Sequence, residues 1–196
     1  DIAGVVPERD VDLEKQVLKV TTVNNSAQFN TLPADDFPTV PGVDDGDLLM
    51  KVSAEDIQNA IDRVAFAAAT DDSRPVLTGM KIEAEGTTIT FVSVDGFRLS
   101  RQILELDSAV KEKADLLVPA KAMQELSRII SEVSEDGEKK KKKSDMVEVY
   151  MLKDKSQVAF RYKEVDLLSR LIDGQFPEYK QIIPTGFQTK TEMAAG

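Results

Sequence analysis

Hydrophobic and polar residues follow one another along the chain with a period that changes from strand-like to helix-like and back, twice over. The first round begins with an apolar run at residues 48–52 and continues after Ser53, which can cap a helix together with Asp56 three residues later. Strands are predicted after the helix at residues 80–84, 87–94 and 97–106. The helix itself is predicted from an apolar stripe at helical spacing, formed by Ile57, Ala60, Ile61, Val64, Ala65 and Ala68.

The second round begins at residues 116–118, and Pro119 suits the first turn of a second helix. Strands are predicted after that helix at residues 147–152 and 158–168. The stripe of the second helix is Met123, Leu126, Ile130 and Val133. The fold class is therefore predicted to be α+β, with two pseudo-symmetric strand–helix–strand–strand halves and two helices packed on one layer of antiparallel sheet.

Short phrases that recur at fixed offsets support this duplication. The phrase Leu-Ser-Arg at residues 99–101 returns 69 positions later at residues 168–170. At an offset of 66, Val52, Ala54 and Gln58 correspond to Val118, Ala120 and Gln124. At an offset of 139, Leu32 and Phe37-Pro38 correspond to Leu171 and Phe176-Pro177. The repeating unit is therefore half of a domain of roughly 140 residues, and residues 1–32 are interpreted as the end of a preceding unit.

Each predicted helix leaves a polar face beside its apolar stripe. These faces mix cations, amides and acids: Gln58, Asn59, Asp62 and Arg63 in the first helix, and Lys121, Gln124, Glu125 and Arg128 in the second. Such faces can bind phosphates weakly and without reading bases. For either helix alone, an ordinary solvated face is the simpler interpretation.

Composition removes several classes of function. The absence of histidine and cysteine excludes histidine-based triads, histidine-ligated zinc, disulfides and thiolate chemistry. A formal net charge of −10 disfavours nucleic-acid binding over the whole surface, although one face can still be locally basic. The carboxylate pairs Asp35-Asp36 and Asp71-Asp72 leave an acid–base enzyme as an alternative. They lack a glycine-rich phosphate loop and metal-ligand spacing, so neither an enzyme, a metal nor a cofactor is expected.

Other segments carry simpler signals. Residues 17–23 and 27–32 are predicted to form a hairpin, and the prolines and aspartates of residues 33–47 are typical of a linker. The lysine run at residues 139–143 is typical of a solvated loop. The pair Asp95-Gly96 favours a type I′ hairpin turn.

Four phrases in a fixed order carry a resemblance to a known family. They are Arg74-Pro75-Val76-Leu77-Thr78-Gly79-Met80, Val94-Asp95-Gly96-Phe97-Arg98-Leu99-Ser100, Val118-Pro119-Ala120-Lys121 and Ser169-Arg170-Leu171-Ile172-Asp173-Gly174-Gln175-Phe176-Pro177-Glu178-Tyr179. With these phrases the chain resembles the β sliding clamps of bacterial DNA polymerase III. The resemblance covers residues 48–184, and the internal duplication is the architecture of a domain in that family.

The resemblance implies a ring of two subunits closed head to tail around duplex DNA, which tethers the polymerase and catalyses nothing. Helices would line the hole, so Arg63, Lys121 and Arg128 are expected to face DNA. It further implies a bacterial cytoplasmic protein that associates with the nucleoid during replication.

The same resemblance divides the chain into segments. Residues 1–38 correspond to the C-terminal remnant of a first clamp domain and residues 39–47 to a linker. Residues 48–184 correspond to the middle domain, and residues 185–196 to a linker and the start of a third domain. Such a chain cannot close a ring, and we expect it to be largely monomeric and to bind DNA poorly at physiological salt.

The family's partner site is a hydrophobic cleft that receives linear motifs of polymerases, the clamp loader and repair proteins. In the family this cleft lies between the second and third domains, and its second-domain half corresponds here to Arg74, Leu77, Val94, Gly96, Phe97, Arg98, Leu99, Pro177, Gln181 and Ile182. Phe97 stands where many relatives have histidine or tyrosine, and Gln181 where some have arginine. Without the resemblance, Leu77, Val94 and Leu99 are predicted to be ordinary strand core. A protein-interaction domain with no DNA role stays open as the second alternative.

Overall fold

The computed structural model describes residues 10–14, 17–22, 25–33, 36, 42–71, 73–135, 145–184, 186 and 188–189. The chain divides into two compact units, Asp1–Pro41 and Gly42–Gly196. The helices are α1 (Ala54–Val64), α2 (Ala120–Glu135) and the single turn α3 (Tyr179–Ile182). The strands are β1 (Asp10–Glu14), β2 (Val17–Thr21), β3 (Ser26–Asn30), β4 (Gly46–Ser53), β5 (Gly79–Glu85), β6 (Thr88–Val94), β7 (Leu99–Glu105), β8 (Ala114–Pro119), β9 (Met146–Leu152), β10 (Gln157–Tyr162) and β11 (Val165–Arg170).

The first unit contains a three-stranded antiparallel sheet in the order β1-β2-β3. The predicted hairpin corresponds to β2 and β3, which pair from Val17 opposite Asn30 to Thr21 opposite Ser26. Strand β1 is an addition that the sequence pattern does not predict. Its acidic residues lower the intrinsic preference for a strand, and pairing along the whole of β2 outweighs that preference.

In the second unit, both helices form where the apolar stripes predict them, but the first ends earlier than its stripe: α1 ends at Val64, and a 3-10 turn, Ala65–Ala67, follows. Helix α1 begins after Ser53, whose Oγ accepts a hydrogen bond from the backbone N–H of Asp56 at 3.4 Å. Helix α2 follows β8 directly, because Pro119 is the last residue of that strand rather than part of the first helical turn. Each helix buries its apolar stripe and exposes a polar side, as the periodicity predicts.

The two helices also contact each other through polar side chains. The Gln58 amide donates to the carbonyl oxygen of Ser127 at 3.1 Å and to Oγ of Ser131 at 2.6 Å, and Ser127 Oγ donates to Asp62 at 2.8 Å. Gln58 was expected on the open polar face, and the structure corrects this: it is half-buried between the helices. Its side chain reaches across the helix pair because the chain places α1 and α2 side by side.

Each of the two sheets of the second unit contains one strand from the other half of the domain. One four-stranded sheet has the order β7-β6-β5-β8 and the other has the order β11-β10-β9-β4. Strand β4 therefore pairs with β9 of the second half, and β8 pairs with β5 of the first half, both antiparallel. The predicted α+β class and the duplication are confirmed. The strands form two sheets instead of one layer, and each helix is followed by three strands.

The core has two parts that share strand β6. A main core joins both helices and both sheets, and β6 contributes Ile89 and Phe91 to it. A second cluster uses the opposite side of β6 through Val92 and Val94. This cluster, called the second cluster below, consists of Leu77, Val92, Val94, Leu117, Phe176 and Tyr179. Strand β6 is therefore buried on both faces.

The predicted domain boundaries remain predictions. Val43 packs against Leu152 and Ala159, and β4 begins at Gly46, so the last residues of the expected 39–47 linker lie within the second unit. The lysine run at residues 139–143 and the end of the chain from residue 190 lie outside the described residues. Among the described helices, none has both the length and the apolar content that crossing a bilayer requires.

Replacement of Ser93 by alanine is expected to stabilise the protein. Ser93 is fully buried on β6, and its hydroxyl has no hydrogen-bond partner among the residues that the structure describes. An unsatisfied buried hydroxyl costs about 1–3 kcal/mol. Ser93→Ala is therefore expected to raise the free energy of unfolding by about 1 kcal/mol in urea denaturation.

The matched control is Ser100→Ala, directly opposite on β7. Ser100 Oγ donates to the carbonyl oxygen of Arg63 at 2.6 Å, so its loss is expected to lower the free energy of unfolding by about 1 kcal/mol. Equal destabilisation by both substitutions would contradict the assignment of Ser93 as unsatisfied.

Candidate functional site

One groove collects most of the residues predicted for the cleft. It encloses about 260 Å³ and is lined by Arg74, Leu77, Val94, Gly96, Phe97, Arg98, Leu99, Pro177 and Ile182. All nine come from the ten predicted residues. The tenth, Gln181, is exposed on α3 and is not among the lining residues.

The floor of the groove is continuous with the second cluster. Leu77 and Val94 are buried members of that cluster, and Leu99 packs against it. The same side chains therefore contribute to the core and line the groove, while their role in peptide binding stays a prediction. Leu77 lies in a short 3-10 turn, Pro75–Thr78, and not in a strand as expected.

One side of the groove is a four-residue loop between β6 and β7, residues 95–98. Oδ1 of Asp95 accepts the backbone N–H groups of Phe97 and Arg98 at 2.9 and 3.0 Å, and Oδ2 accepts Nε of Arg98 at 2.7 Å. Gly96 has φ +94° whereas Asp95 is not in the left-handed region, so the predicted type I′ turn is wrong. The aspartate side chain organises a longer loop and leaves Phe97 97% exposed at its tip.

Charges at this loop are largely compensated within it. The backbone N–H groups of Phe97 and Arg98 hold the pKa of the Asp95 carboxyl below its usual range, and the Arg98 side chain adds to this. The guanidinium of Arg98 also lies 5.7 Å from the ring centre of Phe66. Arg74, on the neighbouring turn, lines the groove, and it forms no ion pair within the described part of the chain, although the charge of Asp71 acts on it at longer range.

The other side of the groove comes from the chain after β11. Pro177 and Ile182 line the groove there, and between them Tyr179 is 3% exposed in the second cluster. The Tyr179 hydroxyl donates to Oε2 of Glu83 on β5 at 2.5 Å. Burial, and then this hydrogen bond to a carboxylate, raise the pKa of the Tyr179 hydroxyl, which keeps it a proton donor.

Sequence reasoning assigned no role to Glu83 or to Tyr179. Their contact joins residues from the two halves of the domain, and a one-dimensional pattern carries no signal for such a pairing. Tyr179 does end the last of the four phrases quoted above, and an aromatic residue next to a groove residue was the one available clue.

The three cations predicted to face DNA differ in their surroundings. Arg63 and Lys121 are exposed, and neither side chain forms an ion pair with another described residue. Arg128 donates to Glu125, with Nε at 3.0 Å from Oε2, and also pairs with Glu132 one turn later. These carboxylates raise the pKa of Arg128 and occupy hydrogen-bond donors that would otherwise be open to a phosphate. A second cavity of about 300 Å³ is lined by Lys121 and by eight other residues, four of them alanines.

The carboxylate pairs considered for catalysis are only partly described. Asp71 accepts hydrogen bonds from the backbone N–H and the hydroxyl of Ser73, which lower its pKa. This is the arrangement of an ordinary capped loop, and it leaves the carboxylate ionised. One aspartate of each pair, Asp35 in the first and Asp72 in the second, lies outside the described residues. Within the described ranges, no cluster of acidic side chains could hold a metal ion.

Comparisons with known proteins agree on one family. Residues 51–178 match the family model described as DNA polymerase III beta subunit, central domain. The beta sliding clamp of Pseudomonas aeruginosa is 32% identical over 177 residues, covering 90% of this chain and 45% of that protein. The beta sliding clamp of Staphylococcus aureus is 27% identical over 199 residues, covering 100% of this chain and 49% of that protein.

A solved structure is similar over the same extent. The crystal structure of the DNA polymerase III subunit beta from Pseudomonas aeruginosa has a TM-score of 0.71 and 30% sequence identity. The match covers 91% of this chain and 46% of the Pseudomonas aeruginosa chain. The chain therefore spans about half the length of the relatives it matches.

The loop at residues 95–98 is expected to keep its shape well into the acid range. Because the pKa of Asp95 is lowered in the folded chain, its hydrogen bonds are fully present above the ordinary value of 3.8 and are lost as the pH falls through the lowered pKa. In an NMR titration, the amide signals of Phe97 and Arg98 are expected to move with a midpoint below 3.8. Asp95→Asn is the control without this titration, and a midpoint at or above 3.8 would contradict the prediction.

Proposed function

The chain belongs to the DNA polymerase III beta subunit family and contains its central domain, and from this premise we propose that it is part of a sliding clamp. In this proposal the whole protein is a non-catalytic processivity factor that encircles duplex DNA as a head-to-tail ring of two subunits. The chain supplies one domain of the ring wall and half of the site that holds partner proteins. The groove of nine predicted residues is the observation that carries the proposal.

The groove suits the anchor residues of a short peptide. Its floor consists of aliphatic side chains that the second cluster holds in place, so little ordering is required when a peptide binds. Phe97 and Ile182 are exposed apolar side chains on opposite sides, 97% and 61% exposed respectively. Burying both against a peptide removes apolar surface from water, and this is the main source of affinity in such sites.

The arginines give the groove a preference for charge. Arg98 forms an ion pair with Asp95, whereas Arg74 forms none with a described residue. A peptide with apolar anchors and a carboxylate near Arg74 would therefore bind more tightly than its neutral counterpart. Polymerase subunits, the clamp loader and repair proteins are the proposed partners that present such motifs.

The helix surface supports loose contact with duplex DNA. Arg63 and Lys121 can each neutralise one phosphate, and no geometry for reading bases is present at these two side chains. Arg128 contributes less because Glu125 and Glu132 already surround it. With a formal net charge of −10, the remaining surface repels DNA. Retention would come from the closed ring and not from affinity.

Truncation of the exposed groove residues is expected to weaken peptide binding. Phe97→Ala and Ile182→Ala should each raise the dissociation constant of a fluorescein-labelled peptide by about tenfold, measured by fluorescence anisotropy. The probe carries adjacent leucine and phenylalanine residues and one carboxylate. Ile103→Ala is the matched control, because Ile103 is exposed on β7 and does not line the groove. Equal affinities for all three variants would refute the peptide site.

The salt dependence of duplex binding tests the proposed DNA contacts. At low ionic strength, Arg63→Ala and Lys121→Ala should each reduce the slope of log affinity against log salt by about 1, since each contact releases about one counterion. Arg128→Ala should reduce this slope by less than half of the reduction expected for Arg63→Ala or Lys121→Ala. The control is Arg161→Ala on β10, an arginine paired with Asp166, which should leave the slope unchanged. Slopes unaffected by Arg63 and Lys121 would favour a protein-interaction domain without a DNA role.

A further inference from the structure

We propose that the hydrogen bond from Tyr179 to Glu83 positions the side of the groove that Pro177 and Ile182 form. Tyr179 is thus a positioning residue, and Glu83 is the acceptor that fixes it. This inference rests on the proposed function of the groove, and it assigns roles to two residues outside the groove lining.

The segment that carries Pro177 and Ile182 has little regular structure to hold it. Helix α3 is a single turn of four residues, too short to be stable through its own backbone hydrogen bonds. Its start has no side-chain cap. The position of Ile182 must therefore be set by contacts between side chains of this segment and the rest of the domain.

Those contacts converge on one strand. Strand β5 presents Lys81 and Glu83 towards the segment: Nζ of Lys81 lies 5.9 Å from the ring centre of Phe176, and Oε2 of Glu83 lies 2.5 Å from the Tyr179 hydroxyl. Nζ of Lys180 lies 3.5 Å from the same carboxylate. Phe176 and Tyr179 immediately flank Pro177 and Glu178 in the sequence, so their anchoring fixes the backbone on both sides of Pro177.

The direction of the Tyr179 hydroxyl matters more than its burial alone. The ring would stay buried in the second cluster without the hydroxyl, since Phe176 and Val92 belong to the same cluster. The hydrogen bond to Glu83, together with the Lys180 ion pair to the same carboxylate, fixes the rotation of α3 and with it the direction in which Ile182 points, three residues after Tyr179. A hydrogen bond to a charged acceptor is among the stronger side-chain contacts, which suits this role.

The test compares variants of the 196-residue chain with two readouts. The first is the chemical shift of the Ile182 δ1 methyl group in the free protein. The second is the dissociation constant of the fluorescein-labelled peptide described above. Tyr179→Phe and Glu83→Ala are expected to move the methyl signal and to weaken peptide binding by about fivefold to tenfold. The double variant should bind the peptide no more weakly than Glu83→Ala alone, because Glu83→Ala already removes the Tyr179 hydrogen bond together with the Lys180 ion pair.

Two variants separate positioning from general stability. Glu83→Gln keeps an oxygen that accepts from Tyr179 but loses the charge that pairs with Lys180, so both readouts should lie closer to those of the unmodified chain than the readouts of Glu83→Ala do. Tyr150→Phe removes a comparable hydrogen bond, from the Tyr150 hydroxyl to Glu148 at 2.6 Å, in the other sheet. It should leave both readouts unchanged although it costs similar stability.

Unchanged readouts in Tyr179→Phe would overturn the inference, as would a Glu83→Gln variant as impaired as Glu83→Ala. If the unmodified chain does not bind the peptide, the proposed function fails at this site. The Ile182 methyl shift would then still decide whether Tyr179 and Glu83 position the segment.

Discussion

The burial of strand β6 on both faces is the constraint on which the other features depend. Ile89 and Phe91 on one face join the core beneath the helices, while Val92 and Val94 on the other join the cluster beneath the groove. A strand of this kind cannot shift its register by one residue without moving apolar side chains out of both clusters. The groove floor is consequently as rigid as the core, although its upper surface meets solvent.

Local compensation of charge is the second theme of the molecule. The formal net charge is −10, and three of the described cations near the functional surfaces are already paired: Arg98 with Asp95, Arg128 with Glu125 and Glu132, and Lys180 with Glu83. The exposed pairs contribute little to stability. Arg63, Arg74 and Lys121 form no ion pair with a described residue, so these are the positions where an anionic partner gains most.

Hydrophobic periodicity, capping residues and repeats predicted the helices and most strands well. They could not predict contacts between residues that are distant in the sequence. The cap at Ser53 and the two apolar stripes located both long helices, and the repeated phrases located equivalent strands. The turn prediction at Asp95 was wrong because the Asp95 carboxylate accepts hydrogen bonds from two backbone N–H groups and thereby gives the loop a different conformation. Gln58 was placed on an open face because helical periodicity ignores a neighbouring helix. Nine groove residues were chosen by resemblance to a family, and their proximity in space is a finding of the structure.

The exchange of β4 and β8 between the halves affects how the domain can fold and evolve. Val52 on β4 lies opposite Val147 on β9, so closing that sheet brings together residues far apart in the chain, after a large loss of chain entropy. Neither half can complete a four-stranded sheet by itself. If a gene duplication produced these halves, the two copies would therefore fold as one cooperative unit. Neither copy could then be deleted, moved to another protein or separated from the other without leaving a sheet incomplete.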